Sequence, residues 1–201
     1  ANGTPALAVF AAANGACCCR VELPEWPRHV AAGPHGVAVA FERSLHVYDR
    51  TGPLLFTAPV VGVSTLCAGT DGWFTSDTGS LQCWSRTGTL EWEVTKPRHA
   101  RFLGRDLLLR GAPTGDLLVA SPSERLVVQC LARRNGLPLW RIDLPIGDTS
   151  DRFDLRCAGE HLLVTTLGAR CDGVVQVDAR TGATLQQQEF EAPRAGGTAP
   201  R

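Results

Sequence analysis

The stretch Val177-Asp178-Ala179-Arg180-Thr181-Gly182-Ala183-Thr184-Leu185 decides the fold, because its turn recurs along the chain. The copies are Tyr48-Asp49-Arg50-Thr51-Gly52, Trp84-Ser85-Arg86-Thr87-Gly88 and Ala132-Arg133-Arg134-Asn135-Gly136, with a degenerate fifth at Ala12-Ala13-Asn14-Gly15. Their glycines lie 37, 36, 48 and 46 residues apart. That is the size of a four-stranded blade in a radial β-array. Glycine supplies the positive φ that a tight hairpin needs, and Asn or Asp tolerates it.

Four residues beyond each glycine come Cys19, Phe56, Trp92, Trp140 and Gln186. Three of these five are aromatic in a chain that is only 6 % aromatic. Residues 14–24 also align with residues 135–145 without a gap. A second anchor sits upstream: Val30-Ala31-Ala32-Gly33, Leu66-Cys67-Ala68-Gly69 and Arg156-Cys157-Ala158-Gly159 read as one recurring strand end. Between the turns run β-branched, aromatic and Leu-rich segments of four to seven residues, suited to half-buried or sandwiched strands.

The fold class is therefore all-β: a β-propeller of four-stranded antiparallel blades, four full blades plus a half blade. The predicted strands of the four units are 28–33, 37–42, 44–49 and 53–58; 63–68, 73–77, 80–85 and 89–95; 106–111, 116–121, 125–132 and 137–144; and 152–158, 161–167, 173–179 and 183–190. Residues 6–12 and 16–23 supply the half blade. Accordingly, 1–27 is expected to be the last two strands of a preceding blade plus a connector. Residues 28–192 form the four-blade array, and 193–201 a disordered tail rich in Pro, Gly, Ala and Thr. A half blade normally needs its inner strands from elsewhere. The chain, which contains no Met, is expected to be a fragment of a larger propeller, a ring completed by another chain or missing upstream blades, or an open arc.

The units resemble bacterial PQQ-like repeats, a branch of propeller sequences close to the WD-repeat type. The resemblance rests on Val177–Leu185 and on Asn135-Gly136-Leu137-Pro138-Leu139-Trp140, and covers about residues 6–190. In that family the final Trp docks one blade on the next. Trp92 and Trp140 match that position, while Phe56, Cys19 and Gln186 depart from it. The motifs specify architecture well and function poorly, since one fold hosts many roles.

Composition narrows the function classes. Lys+Arg and Asp+Glu balance at 20 each, giving a net charge of zero and no electrostatic footprint for nucleic acid or an anionic membrane. No segment is long and apolar enough to span a bilayer. Eight cysteines fall short of the density of a disulfide-stapled domain. They read as buried small hydrophobes, including Cys17-Cys18-Cys19, whose alternating directions oppose convergence on one metal. Cys67 and Cys157 fall in innermost strands, and Cys171 is the thiol most expected to be exposed. The five histidines form no cluster at ligand spacing, and no zinc, Walker, dinucleotide or nucleophile-elbow pattern is present. Catalytic, metal and cofactor residues are therefore expected to be none.

The expected role is a non-catalytic scaffold for protein–protein interaction. Candidate contact residues are Trp26 in the first connector, Arg98, His99, Arg101 and Phe102 in an enlarged one, and Arg133 and Arg134 at a hairpin tip, where Arg and aromatic side chains make hot spots. One home for such a scaffold is the propeller component of a bacterial ATPase-associated system, and the expected location is cytoplasmic. The alternatives are a periplasmic lipoprotein-type scaffold resembling outer-membrane assembly propellers, and a fragment of a PQQ-dependent dehydrogenase.

Overall fold

The computed structural model describes residues 3–11, 13–95, 108–112, 114–122, 126–144, 152–167 and 171–191. Every regular element among them is a strand. The half blade is β1 (Ala6–Phe10) with β2 (Cys17–Glu22). Four blades follow. The first is β3 (His29–Gly33), β4 (Gly36–Ala40), β5 (Ser44–Tyr48) and β6 (Leu54–Pro59). The second is β7 (Thr65–Ala68), β8 (Gly72–Ser76), β9 (Ser80–Ser85) and β10 (Leu90–Thr95). The third is β11 (Leu108–Gly111), β12 (Leu117–Pro122), β13 (Leu126–Leu131) and β14 (Pro138–Leu144), and the fourth β15 (Arg152–Ala158), β16 (His161–Leu167), β17 (Cys171–Asp178) and β18 (Thr184–Glu191). Each blade is an antiparallel sheet whose strands lie in chain order.

The predicted strands are all present, with no end displaced by more than two residues, as is usual for strand boundaries. The expected tail at 193–201 and the enlarged connector at 97–105 lie outside the described residues.

The repeating turn does what its sequence requires. Gly52, Gly88, Gly136 and Gly182 all take positive φ, between 68° and 108°. Beside each of these turns, and beside Gly15, the third and fourth strands slip register. The first pair beyond the slip contains Cys19, Phe56, Trp92, Trp140 or Gln186. A bulge re-aims the side chain that follows it, and here it turns that residue toward the next blade. A Cβ placed on Gly88 would stand 2.6 Å from Phe56, one on Gly136 2.9 Å from Trp92, and one on Gly52 3.5 Å from Cys19. The Trp92 indole donates to the Arg133 carbonyl at 2.5 Å and the Trp140 indole to Ala179 at 3.1 Å. Four seams therefore share one clasp, with Cys19 and Phe56 serving where Trp is missing.

The core is divided among those seams. Leu23, Val37, Val39, Phe41 and Tyr48 close the half blade on the first blade. Ala38, Leu45, Val47, Trp73 and Trp84 fill the next seam. Phe74, Leu81, Leu117 and Leu131 fill the third, and Leu118, Val128, Leu155, Leu162 and Val164 the fourth. Strands β4 and β8 are buried along their whole length, because a blade on each side covers both faces. Each fully buried Leu or Val contributes roughly 1.5–3 kcal/mol.

Candidate functional site

The strand order places β3, β7, β11 and β15 innermost, each hydrogen-bonded along one edge only. β3 lies against β7, β7 against β11, and β11 against β15. Their inward edges line a trough of about 770 Å³, formed by Val30–Ala32, Thr65–Ala68, Arg110, Gly111 and Leu155–Cys157. Small residues set its curvature. A Cβ on Gly111 would stand 2.7 Å from the Ala68 carbonyl oxygen, and one on Gly33 2.6 Å from the Ala68 Cβ. Neighbouring inner strands approach this closely only because those positions carry no side chain.

The charge in the trough comes from the third and fourth blades. Arg110 Nε donates to the Leu155 carbonyl at 3.1 Å, across the seam. Arg156 Nε donates to Asp154 Oδ2 at 2.8 Å, and the Leu155 amide donates to Asp154 Oδ1 at 2.9 Å. An Arg110 η-nitrogen stands 3.8 Å from the same carboxylate. The Arg156 hydrogen bond, chiefly, holds the Asp154 carboxyl below the usual carboxylate range, against desolvation that acts the other way. Two permanent cations thus share one carboxylate.

The cysteines divide differently from expectation. Cys67, Cys83 and Cys130 are buried, and desolvation pushes each thiol up to about 12. Cys157, expected in the core, is exposed to the trough. Its thiol donates to the Gly111 carbonyl oxygen at 3.8 Å, on a residue with no side chain to cover it. Of the triple cysteine only Cys19 packs inward, while Cys17 and Cys18 are exposed. Cys171, expected to be exposed, lies where no side-chain environment is described. Among the described residues no group of three or more His, Cys, Asp and Glu converges at metal-binding distance.

The predicted contact residues do not form one surface. Antiparallel blades put the β3–β4 and β5–β6 turns at one end of the array, and the β4–β5 turns and blade connectors at the other. Trp26 lies at the connector end and is 71 % exposed. Arg133 and Arg134 lie at the opposite end, in the turn before Gly136. Arg134 is exposed, but the Arg133 side chain is only 17 % exposed. Its guanidinium pairs with Glu91, donates to the Asp71 carbonyl at 3.0 Å and lies 5.8 Å over the Phe74 ring. Arg133 is a clamp between the second and third blades. Arg98, His99, Arg101 and Phe102 lie outside the described residues.

Two features of the site escaped sequence reasoning. Val61 is 74 % exposed in the connector after β6, and that connector and Trp26's both run past Glu42. Arg28 pairs with the Glu42 carboxylate, and the Gly62 amide donates to the Glu42 carbonyl at 3.2 Å. Arg110 and Arg156 were the second omission. Position on an innermost strand was the available signal, and it went unused.

Comparison with solved structures fits this architecture. BamB from Moraxella catarrhalis superposes with a TM-score of 0.65 at 13 % identity, over 89 % of this chain and 57 % of that one. The fold is a β-propeller. The described residues form an incomplete one, of four blades and a two-stranded half. KlHsv2 with a replaced loop gives a TM-score of 0.70 at 9 % identity, over 96 % and 63 % of the two chains. The WD40 domain of SCAP from fission yeast gives 0.64 at 13 % identity, over 94 % and 51 %. The chain thus spans about half to two thirds of the length of these propellers. No protein-family profile and no curated protein matches it.

Proposed function

We propose that this propeller is a non-catalytic scaffold that docks a segment of a protein partner along its inner-strand trough. The trough itself carries the reading: a concavity of about 770 Å³ to which four blades contribute, walled by strand edges paired on one side only. Its volume is in the range of ligand-sized clefts. An open strand edge accepts an extended segment through backbone hydrogen bonds, and flanking side chains then select among sequences. Trp26 and Val61 add exposed apolar area at the connector end, where a longer partner would continue.

The PQQ-like repeat type belongs to the proposal, supported by Trp92 and Trp140 on the turn glycines of the following blades. So does membership of a bacterial multiprotein, ATPase-associated assembly, for which scaffold architecture is the support. A cytoplasmic location is supported by seven described cysteines that are free thiols, as a reducing compartment keeps them.

The test is selection of random peptides displayed on phage against the immobilised chain, followed by amide hydrogen exchange with the enriched peptides. Slowed exchange in β3, β7, β11 or β15 is the expected result. Enrichment no better than on a bare surface, or protection confined to the outer strands, overturns the proposal.

A further inference from the structure

Resting on the trough as the docking site, we infer that its occupant is an acidic extended peptide, held by the guanidiniums of Arg110 and Arg156. Both arginines lie on its wall. Their side chains are 51 % and 76 % exposed, so the charged heads meet solvent where a ligand would lie. Among the described residues only one carboxylate, Asp154, pairs with the two of them.

The arrangement leaves donors unused. A guanidinium carries five N–H groups. Arg156 spends its Nε on Asp154, and the described residues give its η-nitrogens no acceptor. Arg110 spends its Nε on the Leu155 carbonyl and holds one η-nitrogen at the long distance of 3.8 Å from Asp154. Asp154 is largely occupied, accepting from Arg156 on one oxygen and from the Leu155 amide on the other.

Those same contacts orient the two arginines before any ligand arrives. Arg110 is tied across the seam to the fourth blade, and Arg156 is tied to the residue two positions before it on β15. A preorganised, planar guanidinium pair suits side-chain carboxylates, which accept two parallel N–H bonds. Fixing the donors in advance lowers the ordering cost of binding. A basic segment would meet two cations, so the trough discriminates by repulsion as well as attraction. Val30 and Leu66 on the wall favour a segment that alternates acidic and apolar residues, since alternate side chains of an extended strand face the same way.

The decisive experiment titrates the whole chain with a fluorescein-labelled peptide of alternating Glu and Val, followed by anisotropy, alongside its Gln-for-Glu counterpart. The Glu peptide is expected to bind at least about tenfold more tightly. Arg156→Gln is expected to remove most of that preference, and added salt to weaken the Glu peptide alone. Arg180→Gln, at the exposed turn before Gly182 and outside the trough, is expected to leave it unchanged. Circular dichroism on each variant confirms an intact fold, which Arg156→Gln should keep because that side chain is mostly exposed.

Equal affinity for the two peptides, or a Glu preference that survives Arg156→Gln, overturns the acidic assignment. If both peptides then still slow exchange in the inner strands, the trough remains the docking site with another specificity. If neither peptide binds, the acidic assignment falls, and the peptide selection described above decides the fate of the trough separately.

Discussion

Gly182 lies under the indole of Trp140: a Cβ built on the glycine would stand 2.8 Å from the ring carbon Cδ2. The same indole donates from Nε1 to the Ala179 carbonyl at 3.1 Å. One side chain thus recognises a turn in the next blade by both its shape and its backbone acceptor.

Gly182→Ala is therefore expected to destabilise the chain by about 2 kcal/mol or more. It places a side chain at φ 75° and against the ring together. Trp140→Ala removes the other half of the contact and is expected to cost about 3 kcal/mol. The double variant should lose less than the two losses combined, because both remove one contact. Urea unfolding followed by fluorescence and circular dichroism measures all three. Additive losses would show that glycine and ring act independently.

Arg133 makes the corresponding argument for charge. Its guanidinium is mostly buried between Glu91, the Asp71 carbonyl and the Phe74 ring. Arg133→Met keeps the apolar stem but leaves the Glu91 carboxylate unpaired, at an expected cost of about 2 kcal/mol. Adding Glu91→Gln should recover part of that loss, because no charge then remains uncompensated. By contrast, Arg134→Met is expected to change stability by less than about 0.5 kcal/mol. A similar loss at Arg133 and Arg134 in chemical unfolding would contradict the clamp.

The repeat was legible in the sequence because one chemical requirement, positive φ at a hairpin turn, recurs and selects glycine each time. The docking position was legible from Trp92 and Trp140. Its occupants in the weaker copies, Cys19 and Phe56, show their role only once the register slip beside the turn is seen. The site was harder to read for a related reason. Trp26 and Arg133 look alike as exposed-loop residues. Yet strand direction sends them to opposite ends of the blades, and an unforeseen partner, Glu91, draws Arg133 into a seam. Cys157 was misplaced because its burial depends on what faces it from the neighbouring blade, and Gly111 faces it with a carbonyl and no side chain.

That difference among the thiols is open to direct measurement. Cys17, Cys18 and Cys157 are exposed, whereas Cys67, Cys83 and Cys130 are buried with thiols pushed up to about 12. Reaction requires the thiolate and access to it. Brief treatment of the native chain with iodoacetamide near neutral pH should therefore label Cys17 and Cys18 first, Cys157 more slowly because desolvation pushes its thiol up, and spare the buried three. Peptide mass spectrometry reads the pattern. Labelling of Cys67 as fast as Cys18 would place β7 outside the core.

His46 makes folding sensitive to mild acid. It lies on β5, with its ring 4.9 Å from that of Phe41 and its Nδ1 3.3 Å from the Tyr48 hydroxyl. Desolvation lowers its pKa below the ordinary value of 6.5, partly opposed by Glu25. The folded chain therefore binds this proton less readily than the unfolded chain does. Stability tied to neutral His46 is complete above pH 6.5 and falls as the pH drops toward the lower folded-state value. The melting temperature of the native chain should decline as the pH falls below 6.5, and decline less in His46→Gln. Glutamine cannot take up the proton, so the gap between the two melting curves as a function of pH isolates this one group. A gap that stays constant across the range would mean that burial does not disfavour the protonated ring.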